Sequence, residues 1–493
     1  MTDGFLPSNN LAHLINLIKE NRNEEAVSVL SDLLNQEPDS DLLLNLLGIA
    51  NRGLENHEKA AEAFEAALKV DPRNADTLNN LSVTFIDMNN LNDALSLTER
   101  ACAVYPNDAR LAYNRGNALA KSGQVIEGMK YFNRALEVKP DHVKALNNLG
   151  ASYYEMGDFE KARRFYINAL SVDPTNAEAI LNKAKLDVLN GNFAVGFDGY
   201  EQRWSSTEFA NSWKKSLKPV WQGQRDKTIL IWAEQGIGDE IMFSSIIPDA
   251  AKISKHLIIQ CDSRLIPIFT KSFEFKVDFV SSDDFISEED YDFHIPIGSL
   301  ARLFRRSLSS FQQVPSGHLT VCHKKVRELK NLISAPSDSP IVGVSWKTKA
   351  TTQFSDKRNI ELAELANLGR QTKITLISLQ YGDTSREISA VETSLGVKVK
   401  HVEGLDLFND IEGLAALIRC CDKVITIDNV NAHLAGALNV PTCLLLKVGH
   451  EWRWGLSQQS YWYDSVSLIR QTQMDDWRAC LLAVSEEMRT TTT

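Results

Sequence analysis

Cysteine is scarce in this chain, seven in 493 residues. They are Cys102, Cys261, Cys322, Cys420, Cys421, Cys443 and Cys480. Their number is odd and no two are spaced Cys-x-x-Cys, which argues against a disulfide framework or a thiolate zinc site. A reduced, cytoplasmic compartment fits this usage. Positive charge is also in short supply. Lys and Arg number 53 against 64 Asp and Glu, a net charge of −11. A broad nucleic-acid surface or a polybasic membrane anchor is therefore not expected. No apolar run reaches the length of about 18 residues that a bilayer-spanning helix needs. The N-terminal stretch has no basic segment followed by an apolar one, so it does not read as a secretion signal. Also missing are a G-x-x-x-x-G-K-[ST] loop, a G-x-S-x-G elbow and any His/Cys/Glu cluster at transition-metal spacing. NTPase, serine-hydrolase and metalloenzyme readings lose their main support. Asp290-Tyr-Asp292 has the D-x-D form, but it sits in the acidic stretch from Ser287 and reads as a solvated turn. No metal and no cofactor are expected.

What the chain does have is a repeat. Pro38, Pro72, Pro106, Pro140 and Pro174 follow one another at intervals of 34, the period of tetratricopeptide repeats. The unit ending at Pro72 places Leu44, Leu47 and Gly48 on a first helix and Ala60, Phe64 and Ala67 on a second. The unit ending at Pro174 places Leu146, Leu149, Gly150 and Tyr153, then Ala162, Tyr166 and Ala169, in the same way. Small residues suit the close approach of two helices, and each proline ends a unit because it cannot continue a helix. A sixth, degenerate unit runs from Ala177 to about Trp204. An α-helical superhelical solenoid is expected over residues 1–205. One polar column recurs inside it: Asn80, Asn114, Asn148 and Asn182. First helices line the concave face of a solenoid. Carboxamides there could bond the backbone of an acceptor polypeptide, since each both donates and accepts. Asn as a plain consensus choice at this position is the competing reading. Solenoids of this kind also self-associate, so a homo-oligomer through the repeats is a further expectation.

From about Thr228 the pattern becomes short β-branched runs alternating with helical segments. The expected strands are Ile229–Ala233, His256–Cys261, Phe275–Ser281 and Phe293–Ile297. After the Pro-rich stretch Ala335–Pro340 come Ile341–Trp346, Ile374–Leu379, Val397–Val402, Lys423–Ile427 and Thr442–Leu446. Asp475–Met488 reads as a final helix and Arg489–Thr493 as a disordered tail. Strands separated by helices imply parallel sheets covered on both faces. The expected domains are 206–336 and 337–493, two Rossmann-like doubly wound α/β halves facing a cleft. Ligands in such sheets sit beyond the carboxyl ends of the strands.

Two turns at such ends carry the chemistry. After the first strand comes Glu234-Gln-Gly-Ile-Gly-Asp-Glu240. Gly236 and Gly238 permit a tight turn and close approach of a ligand. Asp239 and Glu240, in the first turn of the next helix, are candidate proton acceptors, with helix capping as the competing role. After the strand Lys423–Ile427 comes Asp428-Asn-Val-Asn-Ala-His433. The N–H groups of Val430–His433 would face a phosphate, and Asp428 would cap the helix or hold a sugar hydroxyl. Lys347 would supply a point charge to the same phosphate, with Arg358 a short loop further on. His433 is read equally as functional or as a satisfied core residue.

These residues resemble a known group. Gln235-Gly-Ile-Gly-Asp-Glu-Ile-Met242 and Asp428-Asn-Val-Asn-Ala-His-Leu-Ala-Gly-Ala437 are similar to signature segments of bacterial glycosyltransferases related to the lipopolysaccharide heptosyltransferases. Glu451-Trp-Arg-Trp454 and Gly196-Phe-Asp-Gly-Tyr-Glu-Gln-Arg-Trp204 look like the repeat-bearing branch of that group. The resemblance implies the two-domain glycosyltransferase B fold and an inverting, metal-independent transfer from a nucleotide sugar. It implies Asp239 as base and a donor-binding set of Gly236, Gly238, Ser345, Lys347, Arg358, Asp428, Asn429, Val430, Asn431 and His433. Heptosyltransferases carry Asp-Thr-Gly-Pro-Met-His where this chain has Asn429, Val430 and Asn431, which speaks against an ADP-heptose donor. Repeat-bearing relatives modify Ser or Thr of proteins, including flagellin with a CMP-activated nonulosonic acid. Two other readings stay open. One is a transferase acting on a lipid-linked or lipopolysaccharide saccharide. The other is a non-enzymatic chaperone or scaffold with a degenerate transferase domain.

Overall fold

A computed structural model describes residues 8–206, 209, 212–312, 317–333, 335–336, 339–348, 355–371 and 374–491. Ser337 and Asp338 of the expected linker and Thr492 and Thr493 of the expected tail lie outside the described residues. The chain forms two compact units, one of residues 1–154 and 160–174, the other of 155–159 and 175–493.

The first unit is a succession of helix pairs, among them Asp41–Gly53 with His57–Val70, Ala75–Asp87 with Leu91–Val104, and Ala109–Lys121 with Val125–Val138. Each start has a local cause. Two residues after a repeat proline, Ser40, Asn74 and Asp108 accept from backbone N–H groups of the helix they open, which satisfies donors the helix cannot. His142 does the same through Nδ1, 3.2 Å from the Ala145 N–H. The expected close approach of the paired helices is present. A Cβ on Gly48, Gly116 or Gly150 would stand 2.4, 2.6 or 2.5 Å from the ring of Phe64, Phe132 or Tyr166. In the intervening repeat Ser82 stands in place of the glycine and Thr98 in place of the aromatic ring, and both are fully buried.

The second unit contains a further helix pair, Ala177–Leu189 and Phe193–Tyr200, with a 3-10 turn at Glu201–Ser205. Two parallel sheets follow. The first holds β1 (Thr228–Trp232), β2 (His256–Cys261), β3 (Val277–Ser281) and β4 (Phe293–Pro296), in the order β3-β2-β1-β4. The second holds β5 (Ile341–Ser345), β6 (Thr375–Ser378), β7 (Val399–Lys400), β8 (Lys423–Ile427), β9 (Thr442–Leu446) and β10 (Val466–Arg470). Its order is β10-β9-β8-β5-β6-β7, that of a doubly wound dinucleotide-binding sheet. Among the described residues these ten strands pair with one another in parallel, and Gln459 makes one antiparallel bridge to Ser467 of β10. β5, β8 and β9 are buried along their whole length, as sheets covered on both faces require.

The expected strands β2, β8 and β9 have the observed bounds, and the others differ by one or two residues at their ends. β10 has no counterpart in the sequence reading. It is an edge strand with one parallel partner and half-buried alternate positions, so it carries a weak apolar signal. The final helix runs over Arg478–Thr491, so it starts later than expected and takes in part of the stretch read as a disordered tail. The Asp290–Asp292 stretch is the expected turn. A 3-10 turn spans Glu288–Asp290, and Asp292 accepts from the Thr228 N–H at 2.9 Å. Among the described residues no helix is long and apolar enough to cross a membrane.

Candidate active site

In each sheet the strand order reverses beside the first strand, between β1 and β4 and between β5 and β8. The chain leaves β1 through Ala233–Gly236 into the helix Ile237–Ser244, and leaves β8 through Asp428 and Asn429 into the helix Val430–Ala437. These two helices pack against each other. A Cβ on Gly238 would lie 3.0 Å from Cδ2 of His433, so a side chain there would press on the imidazole where the first turns meet. Gly236 has no such constraint. Its φ is −71° and a Cβ there would meet nothing nearer than Asp239 Oδ2 at 4.0 Å. A side chain would thus be crowded at position 238 and not at 236.

Asp239 stands at this junction. Its Oδ1 lies 2.9 Å from Nη2 of Arg453, and both side chains are 14 % exposed. Burial pushes the Asp239 carboxyl above the usual range, Arg453 pulls it back, and Glu451, Asp428 and Glu234 push it up again. Glu240, the alternative base, faces elsewhere. Its Oε2 accepts from the Asp262 N–H beyond β2 at 3.0 Å, and burial carries its carboxyl up to about 7 against the pull of that N–H. Successive helical residues point about 100° apart, so the two acids cannot share one role. Asp239 is the one beside the Asp428 turn.

The cations are arranged differently from expectation. Lys347 does not reach that turn. Its Nζ lies 2.6 Å from Glu387, whose other oxygen accepts from the Trp346 indole. Arg358 does reach it. One nitrogen lies 3.5 Å from Asp428 and another donates to Glu451 at 2.7 Å. Burial alone would raise the Glu451 carboxyl, but Arg358 and then Arg453 hold it below the usual range. Arg453 and Glu451 are residues the sequence reading left without a role, and the run Glu451–Trp454 was their only signal; Arg358 was among the residues expected near the donor.

The Asp428 turn also departs from expectation. The cap of its helix is Asn429, which accepts from the Asn431 N–H at 2.9 Å, and Asp428 is left to Arg358. The Ala432 N–H donates to the Asn429 carbonyl. Two of the four N–H groups expected to meet a phosphate are thus taken. Asn429 is fixed from below by the buried Ser345, which accepts from its Nδ2 at 3.0 Å and lies 2.6 Å from the Thr426 hydroxyl. Ser345 therefore holds the turn from the interior. Val430 opens the helix half-buried. Asn431 is turned inward, donating to the Leu379 carbonyl at 3.3 Å. His433 is a buried residue. Its Nδ1 lies 3.1 Å from the Tyr463 hydroxyl, its ring stacks on Trp454 at 4.9 Å, and burial keeps it neutral. Asn431 Oδ1, Trp454 Nε1 and the Nε atoms of Arg358 and Arg453 are buried without a protein partner. These are the polar atoms that a bound ligand or water would satisfy.

In the repeats three of the four column carboxamides bond across to the preceding repeat. Asn80 donates to Asn45 at 3.2 Å, Asn114 to Asn79 at 3.1 Å and Asn148 to the Tyr113 hydroxyl at 3.3 Å. Asn114 is buried; Asn80, Asn148 and Asn182 are half-buried. Asn80, Asn114 and Asn148 thus link successive repeats.

Tetratricopeptide-repeat family models match residues 11–77, 52–117, 109–142 and 143–176. Residues 11–176 are tetratricopeptide repeats. Among solved structures the chain is similar to YrrB, described as a tetratricopeptide-repeat protein with an unusual peptide-binding site. The match has 23 % identity and a TM-score of 0.30, covering 35 % of this chain and 88 % of that one. It is also similar to PilW, a type IV pilus biogenesis factor (20 % identity, TM-score 0.37, 42 % of this chain and 97 % of that one). Among curated proteins the repeat-bearing chain is related to Protein FlbA of Caulobacter vibrioides. The two are 26 % identical over 318 residues, 61 % of this chain and 53 % of that protein. The chain thus spans about half the length of this relative.

Proposed function

We propose that this tetratricopeptide-repeat protein is an inverting glycosyltransferase of the glycosyltransferase B type. It would move a sugar from a nucleotide donor to a Ser or Thr hydroxyl of a protein held by its repeats. The observation that carries this reading is the junction of the two turns. Asp239 beyond β1 and Asp428 beyond β8 share Arg453 as a charged neighbour, and Arg358 lies 3.5 Å from Asp428. Asp239 takes the proton of the attacking hydroxyl as the new bond forms to the anomeric carbon. The bond from that carbon to the donor phosphate breaks, and its electron pair leaves with the phosphate. Arg358 and Arg453 meet the charge that develops there, so no cation is needed. They take the part first expected of Lys347. Flagellin with a CMP-activated nonulosonic acid is the acceptor and donor pair to try first, on the resemblance alone.

The test is intact mass spectrometry of acceptor proteins incubated with the full chain and CMP-, UDP-, GDP- or ADP-sugars. A sugar-sized increment that Asp239→Asn abolishes supports the reading. Unchanged acceptor masses with every donor overturn it. A second reading, a scaffold without turnover, draws on the two N–H groups of the Asp428 turn that are already bonded internally. Thermal melting separates the two, because a nucleotide sugar that binds the folded chain raises its melting temperature.

A further inference from the structure

The segment just before the first sheet is bonded to both sides of the Asp239–Arg453 pair. Arg203 is completely buried, and its Nε and Nη2 donate to the two oxygens of Glu234, which is also buried, at 2.7 and 3.0 Å. Glu234 accepts as well from the Gly298 N–H at 2.8 Å. Arg203 further donates to Ser299 at 2.7 Å and to Glu201 at 2.9 Å. The next residue of the turn, Gln235, donates to the Tyr200 hydroxyl at 2.6 Å. Tyr200 is buried beneath the Arg203 guanidinium, 4.5 Å from the ring centroid, and its ring packs 5.2 Å from Trp452. Trp452 is the neighbour of Arg453. One buried cluster thus fixes the residues leading to Asp239 and the residue beside its cation.

We propose that Tyr200 and Arg203 are positioning residues, which set where the Asp239 carboxylate stands against Arg453. The proposal rests on the reading of Asp239 as the base, but it can fail separately. Neither residue touches Asp239. Arg203 orders the turn through Glu234, Tyr200 orders it through Gln235, and the ring of Tyr200 buttresses the 3-10 turn Trp452–Trp454. Two links made through different elements leave the turn little freedom to move away from the cation.

Removing Arg203 would strand the Glu234 charge in the interior, so the discriminating variants are Tyr200→Phe and Gln235→Met. Each deletes one hydrogen bond and keeps the volume. The full chain is labelled with 5-fluorotryptophan, and the Trp454 fluorine resonance is followed against pH. Trp→Phe variants assign the nine tryptophans. The groups facing Asp239 are Arg453, Glu451, Asp428, Glu234, Tyr200 and Tyr463. The titration is therefore assigned to Asp239 by its loss in Asp239→Asn. Tyr200→Phe and Gln235→Met should each move the midpoint by about half a pH unit or more, since loss of one hydrogen bond loosens the pair by that order. The Trp221 resonance and the melting temperature should stay in place. Where turnover is measured, kcat should fall about three- to ten-fold with KM unchanged. An unmoved midpoint in both variants, or a Trp454 signal that Asp239→Asn leaves as it was, overturns the proposal. A moved midpoint in a chain that transfers no sugar upholds the positioning and counts only against the glycosyltransferase reading.

Discussion

The carboxylate of Asp239 and the guanidinium of Arg453 meet at 2.9 Å, one from the helix after β1 and the other from the 3-10 turn after β9. Burial favours the neutral acid and the cation favours the carboxylate, so the ionisation of Asp239 is set by this one neighbour more than by any other. Replacing Arg453 with Gln removes the opposing influence. The carboxyl then holds its proton to higher pH, and the acid limb of the kcat profile moves to higher pH. Asp239→Asn should lose about 10²- to 10⁴-fold in rate, the usual worth of a positioned base. A profile unmoved in Arg453→Gln would show that some other group titrates.

Glu240 offers a stability test that separates it from Asp239. Its carboxyl is carried from 4.5 to about 7, first by burial. Between those pH values the folded chain keeps a proton that the unfolded chain has lost. Stability therefore falls as pH rises through this window, by about 3 kcal/mol in all. Gln at 240 cannot titrate and still offers an acceptor to the Asp262 N–H. Urea unfolding should find Glu240→Gln similar to the parent near pH 4.5 and about 1–3 kcal/mol more stable at pH 8.

Glu55 is held at φ +61°, where the equivalent turns of other repeats use Asn21, Asn89 or Gly123. A side chain in this left-handed region costs about 1–2 kcal/mol, partly offset because glycine frees the unfolded chain. Glu55→Gly should therefore stabilise the repeats by up to about 1 kcal/mol. Thermal or urea unfolding of the full chain measures it.

Gly150→Ala tests the crossing of two repeat helices. Its Cβ would stand 2.5 Å from the Tyr166 ring, and overpacking of this kind costs about 1–3 kcal/mol. Ser82→Ala, in the repeat where Thr98 replaces the ring, should cost less, because it adds no volume. Equal losses in the two variants would mean that the crossing is looser than the geometry shows.

Much of the fold was legible along the chain. The proline column, the Gly48 and Gly150 positions and the strands β2, β8 and β9 all depend on local chemistry or on buried runs that leave a pattern. The candidate site was legible only in outline. The sequence pointed to both turns, yet it named Lys347, which pairs with Glu387, and passed over Arg453. Apart from the resemblance, which favoured Asp239, it could not separate Asp239 from Glu240, because adjacent acids look alike until a helix turns them to different neighbours.

The sequence by itself determined the repeats, the α/β alternation and the places where chain leaves strand for helix, since these follow from spacing, turn residues and apolar period. Only the tertiary structure decided that Gly238 lies against His433, that Arg453 faces Asp239, and that Arg203 is buried on Glu234. Charge pairs between distant segments have no period to read, and which cation reaches which acid is settled only when two sheets and their helices have packed.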